Sequence, residues 1–111
     1  MFAENSGIMQ EIIGNKLHKL NELCRQHHVK ELFVFGSASA GEFTSTSDID
    51  LLVSFYPMDF GDYADNYFKF AENLESTFNR PVDLVTDKSL SNPYFIRSIE
   101  KTKTKIYGWS S

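Results

Sequence analysis

The chain has 111 residues, 41% of them hydrophobic and 14% aromatic, with a net charge of -4. That supports one small domain with its own core and removes the need for a disulfide framework, since the single cysteine, Cys24, has no internal partner. An acidic balance, no apolar run of membrane-spanning length and no leader-like segment argue against a general nucleic-acid-binding surface and against a membrane or secreted protein, and make a cytoplasmic one the expectation.

The charge is uneven. Between Lys30 and Lys69 there is no Lys or Arg, only Glu31, Glu42, Asp48, Asp50, Asp59, Asp62 and Asp65. The segment from Pro93 onward instead carries Arg97, Lys101, Lys103 and Lys105 against Glu100. A solvated acidic face accounts for such a middle, and so does a bound divalent cation.

In chain order, residues 6–27 read as a helix, with Ile8, Ile12, Ile13, Leu17, Leu20 and Leu23 or Cys24 at three- and four-residue steps and Ser6 as N-cap. Cys24 falls on that stripe and reads as a reduced core thiol, and His27 and His28 as a solvated helix end. Residues 31–35 form a short apolar strand ending at Gly36. Residues 37–41 are small and polar, with room for a tight turn. Residues 49–55 form a second strand closed by Pro57.

Residues 61–79 read as the second long helix, with Tyr63, Tyr67, Phe70, Ala71, Leu74 and Phe78 on one stripe. Residues 81–86 form a third strand. Asn92 then Pro93 signal an N-cap and first helical residue, and a last helix is expected to run to about Ile106. Its apolar face would hold Phe95, Ile96, Ile99 and Ile106, and its basic face Arg97, Lys101 and Lys105. The alternation predicts an α/β fold, a small mixed β-sheet flanked by helices.

The chemistry concentrates in the stretch from Gly36 to Val53. Asp48 and Asp50 are two apart at the start of a strand, so their carboxylates share one face, while Leu51 and Val53 face the other way. Two like charges on one face call for a cation, and a hard divalent ion with oxygen ligands supplies it. Asp83 stands alone between Val82 and Leu84 in the third strand. Beside Asp48 and Asp50 it would complete a three-carboxylate cluster able to hold two metal ions together with a triphosphate. Gly36 permits close approach to an anion where a strand turns, and Ser37 and Ser47 add hydroxyl donors, although Ser47 is equally suited to capping a turn. Gly-Ser after a strand and Asp-x-Asp are each weak signals alone. Their joint occurrence with a later Asp-bearing strand is the specific one.

This combination, Gly36-Ser37, Gly41 and Ser47-Asp48-Ile49-Asp50-Leu51, resembles the DNA polymerase β-like nucleotidyltransferase superfamily in its smallest form, the minimal nucleotidyltransferases or MNT group. The resemblance implies that fold in a single domain over 1–111. It implies Asp48 and Asp50 as Mg²⁺ ligands, Asp83 as ligand or base, and Gly36, Ser37 and Ser47 against the triphosphate of ATP or another nucleoside triphosphate. It also implies a helical HEPN-type partner protein, on which the smaller enzyme acts as an adenylylating antitoxin. Two other readings stay open: a non-catalytic module that neutralises a partner by covering it, and a nucleotidyltransferase acting on RNA. Self-association is open too.

Phe55, Tyr56 and Phe60, ahead of the second helix, either line a base pocket or close the core. Arg97, Lys101 and Lys105 either face phosphate or a partner or form a solvated basic face, and Trp109 reads as a packing anchor or a partner contact.

Overall fold

A computed structural model describes residues 14–35 and 49–108. After a 3-10 turn at Gly14–Lys16, the described elements are α1 (Leu17–Gln26), β1 (Val29–Phe35), β2 (Ile49–Phe55), α2 (Phe60–Phe78), β3 (Val82–Thr86), α3 (Pro93–Thr102) and β4 (Thr104–Tyr107). The four strands make one sheet in the order β3-β2-β1-β4. β1 pairs antiparallel with β2 and with β4, and β2 pairs parallel with β3 across the α2 crossover. The expected mixed sheet flanked by helices is thus observed.

Strand alternation divides the apolar residues between two faces. Leu32, Val34, Ile49, Leu51, Val53, Phe55 and Leu84 face one side, where Leu20, Leu23 and Cys24 of α1 and Phe70, Leu74 and Phe78 of α2 complete the main core. Phe35 and Leu52 face the other side and are covered by Ile99 of α3, with Phe33, Val85 and Leu90 around them. The α2 stripe read from the periodicity is therefore the buried one, with Tyr63, Tyr67 and Ala71 at its margin. Asn79 ends that helix in the left-handed conformation (φ 56°), its N–H donating to the Glu75 carbonyl, a cap that asparagine tolerates better than most residues.

Cys24 is fully buried, and burial pushes its thiol up to about 12. At pH 8 only roughly one molecule in ten thousand would carry the reactive thiolate, against a substantial fraction for an ordinary thiol near 8.5. Alkylation of Cys24 at pH 8 is therefore expected to track global unfolding, with protection lost at the same denaturant concentration as helicity.

Several expectations change. The first helix is described only from Gly14, and its Leu17 is exposed rather than on the apolar face; the part holding Ser6, Ile8, Ile12 and Ile13 lies outside the described residues, as does Trp109. His27 is half-buried, its ring packed on Phe70 at 5.4 Å with Nδ1 2.9 Å from the Leu23 carbonyl, whereas His28 is an exposed turn residue with φ 59°.

The last helix stops at Thr102, and residues 104–107 form a fourth strand beside β1. Ile106 consequently packs toward the main core instead of extending the helical stripe. Lys105 is not on the helix either: its Nζ lies 2.9 Å from the Glu31 carboxylate and 5.7 Å from the Phe33 ring, and Lys103 stands 4.5 Å over the same ring. Gly108 closes β4 at φ 118°, where a Cβ would meet the Lys30 carbonyl at 2.7 Å, so only glycine fits.

The start of α3 follows the sequence reading. Asn92 Oδ1 accepts hydrogen bonds from the N–H groups of Tyr94 (2.9 Å) and Phe95 (3.4 Å), with Pro93 at the first helical position. Asn92→Ala is expected to cost about 1 kcal/mol, read as a lower urea midpoint with an unchanged slope. None of the described helices is long and apolar enough to cross a membrane.

Candidate active site

The two strands that carry the described carboxylates begin side by side. The N–H of Ile49 donates to the Pro81 carbonyl (3.1 Å), tying the start of β2 to the start of β3. From that tie the parallel register runs Ile49 with Val82, Asp50 with Asp83, Leu51 with Leu84. Adjacent strands lie about 4.8 Å apart, and register partners present their side chains to the same face. Asp50 and Asp83 are therefore neighbours, on the α3 side of the sheet. Their chain neighbours Ile49, Leu51 and Leu84 anchor the same strands in the core on the other side.

On its other flank Asp50 pairs with Phe35, the last residue of β1. A row Phe35–Asp50–Asp83 thus crosses three strands at one level. One step further along the face, Leu52 and Val85 belong to the apolar patch under α3. At the far end Ser54 Oγ donates to Asp87 Oδ2 at 3.2 Å. The carboxylates stand at the rim of this small second core: Asp50 half-buried on an inner strand, Asp83 exposed on the edge strand.

The charge of Asp83 also reaches the margin of the main core. Tyr67 donates its phenolic O–H to the Leu84 carbonyl at 2.5 Å. Burial holds the Tyr67 hydroxyl above its ordinary pKa, reinforced by the negative charge of Asp83 and by Tyr63.

Gly36, Ser37, Ser47 and Asp48 lie outside the described residues. In sequence, Gly36 and Ser37 follow Phe35, and Ser47 and Asp48 precede Ile49, so they flank residues of the described row and its anchor. Among the described residues no group of three or more His, Cys, Asp or Glu is placed to hold a metal ion. The Asp50–Asp83 pair offers two hard oxygen donors on one face, a donor type that suits Mg²⁺ and fits as part of a larger ligand set.

The aromatic candidates for a base pocket separate. Phe55 points to the main core, edge-on to Tyr63 (5.4 Å) and Phe70 (5.9 Å), on the face opposite Asp50. Tyr56 and Phe60 are exposed, but beyond the far end of β2. An aromatic that the sequence reading assigned to the core, Phe95, instead stands beside the carboxylate row, its ring 6.1 Å from that of Phe35. Its place one turn before Ile99 put it on the apolar stripe, and nothing in the sequence separated it from the core residues there. Arg97 and Lys101 are exposed on α3.

Comparison with known proteins bears on the family and the fold. The chain matches the nucleotidyltransferase domain family over residues 17–106. It is 37% identical over 93 residues to a Methanocaldococcus jannaschii protein named "putative protein adenylyltransferase MJ1379", covering 77% of this chain and 92% of that one. A second M. jannaschii relative of the same designation, MJ1215, is 41% identical over 73 residues, 66% of this chain and 80% of its own length. Among solved structures, one described as a "putative minimal nucleotidyltransferase" superposes with a TM-score of 0.69 at 26% identity, over 85% of this chain and 92% of that one. A toxin–antitoxin structure with AMP-PNP superposes with a TM-score of 0.66 at 25% identity, over 84% and 73%. With the fold, the carboxylate pair and the match over most of its length, the chain belongs to the nucleotidyltransferase domain family.

Proposed function

We propose that the chain is a single-domain, Mg²⁺-dependent protein adenylyltransferase of the cytoplasm that moves AMP from ATP onto a hydroxyl of a helical HEPN-type partner, as the antitoxin of a toxin–antitoxin pair. The observation that carries this reading is the Asp50–Asp83 register pair opening on the edge strand. A carboxylate at a sheet edge is accessible to a hydroxyl presented by another macromolecule, whereas one in a closed cleft would admit only a small acceptor. The relatives designated as protein adenylyltransferases support a protein acceptor. The toxin–antitoxin neighbours, one with AMP-PNP and one a mutant of MntA-HpeT at 26% identity and TM-score 0.63, support an adenine nucleotide and a toxin partner.

In this reading Asp48, Asp50 and Asp83 hold the metal, and Gly36, Ser37 and Ser47 hold the triphosphate. Two bound Mg²⁺ ions would supply neutralisation of the charge that develops on the leaving pyrophosphate. Asp83 accepts the proton of the incoming hydroxyl. The hydroxyl oxygen bonds to the α-phosphorus as the bond to pyrophosphate breaks, so AMP ends on the acceptor.

The test is transfer of α-labelled ATP, with Mg²⁺, into the proteins and RNA of a lysate of the source organism. One labelled protein band is the expected result. Label confined to RNA would move the acceptor to nucleic acid. No label from folded protein would favour a module that acts by covering its partner.

A further inference from the structure

We propose that Phe95 is the stacking platform for the nucleobase of the nucleotide, an inference that rests on the active-site reading above. Three observations converge on it. Phe35 is the register partner of Asp50, about 5 Å away between Cα atoms, and Phe95 sits against Phe35 with ring centroids 6.1 Å apart at 76°. Phe35 is buried and has little surface to offer, while Phe95 is 42% exposed although it lies on the core-facing stripe of α3, one turn before the buried Ile99. An edge-to-face contact occupies at most one face of either ring, so the Phe95 contact is compatible with an open π face beside the carboxylate row.

Two of the aromatics ahead of α2 are excluded by their position. Tyr56 is six residues along β2 from Asp50, roughly 20 Å at strand spacing, beyond the reach of a base joined through one ribose to an α-phosphate held at Asp50. Phe55 is on the opposite face of the sheet. The N-terminal amides of α3 do not compete for the nucleotide as an anion site, because those of Tyr94 and Phe95 donate to Asn92. What the start of α3 presents toward the row is an aromatic ring, the chemistry that takes a purine by stacking.

The experiment measures dissociation constants by calorimetry for Mg–ATP and for Mg–tripolyphosphate, which lacks the base, in wild type, Phe95→Leu and Phe95→Trp. Leucine keeps an apolar contact on Phe35 while removing the π face. The expected result is about tenfold weaker ATP binding in Phe95→Leu, with tripolyphosphate binding unchanged, and ATP binding retained in Phe95→Trp. Equal weakening of both ligands, or unchanged ATP binding in Phe95→Leu, would overturn the assignment. Wild-type protein that binds tripolyphosphate as tightly as ATP would overturn it too, and leave the phosphate site standing. Wild-type protein that binds neither ligand would instead bring down the active-site reading, and this inference with it.

Discussion

Replacing Asp83 by asparagine should separate activity from stability: transfer of AMP is expected to fall by about 10²–10⁴-fold, the typical contribution of a positioned general base, while the fold is retained or slightly strengthened. The two effects have one cause. Asp50 and Asp83 are register partners on adjacent parallel strands, with like charges on one face. Like charges placed opposite one another in a sheet destabilise it, by roughly 0.2–1 kcal/mol. An exposed carboxylate on an edge strand contributes nothing to the core that would compensate, since Asp83 faces away from Leu84 and the main core. Asparagine keeps the size and hydrogen-bonding shape of the side chain, removes the charge, and is a far poorer proton acceptor and metal ligand. The check is a paired measurement, initial rate of labelled transfer and thermal midpoint, on the same preparation. Asp50→Asn should lose transfer in the same way. A rate within a few-fold of wild type in both variants would remove the carboxylate pair from the chemistry.

How far this site was legible before the structure differs from residue to residue. Asp83 was findable because an Asp in the middle of a short apolar strand contradicts its surroundings, and such a contradiction points to a use outside the core. β2 and the α2 stripe were legible for the opposite reason: an aliphatic run and a 3.6-residue aromatic period each agree with one element only. β4 was not. Ile106 follows Ile99 by seven residues and Lys105 follows Lys101 by four, spacings a helix would also produce, and no Gly or Pro marks the break after Thr102. What makes residues 104–107 a strand is the edge of β1, which lies far away in sequence, so tertiary pairing overrides the local pattern. Phe95 shows a further limit. Its period says which side of the helix it occupies, but not that the sheet beneath it ends in a carboxylate row instead of more core.

Phe70→Ala is expected to bring the protein close to global unfolding. Phe70 is fully buried between α2 and the sheet, in contact with two rings, His27 at 5.4 Å and Phe55 at 5.9 Å. Truncating a buried phenylalanine costs about 3–5 kcal/mol, against a total of about 5–15 kcal/mol for a domain. At about 4–8 °C per kcal/mol for a domain of up to roughly 100 residues, the thermal midpoint should drop by well over 10 °C. Phe70→Leu, which keeps apolar volume but loses the ring contacts, should cost clearly less. The consequence for function follows from where α2 leads. Its Tyr67 hydroxyl holds the Leu84 carbonyl of β3, immediately after Asp83. Loosening the helix therefore loosens the strand that carries one of the two paired carboxylates. In Phe70→Ala, transfer should be recovered by cooling or by added Mg–ATP, because ligand binding pulls the population back to the folded state. In Asp83→Asn neither condition should help, since that fold is intact and the missing element is the charge itself.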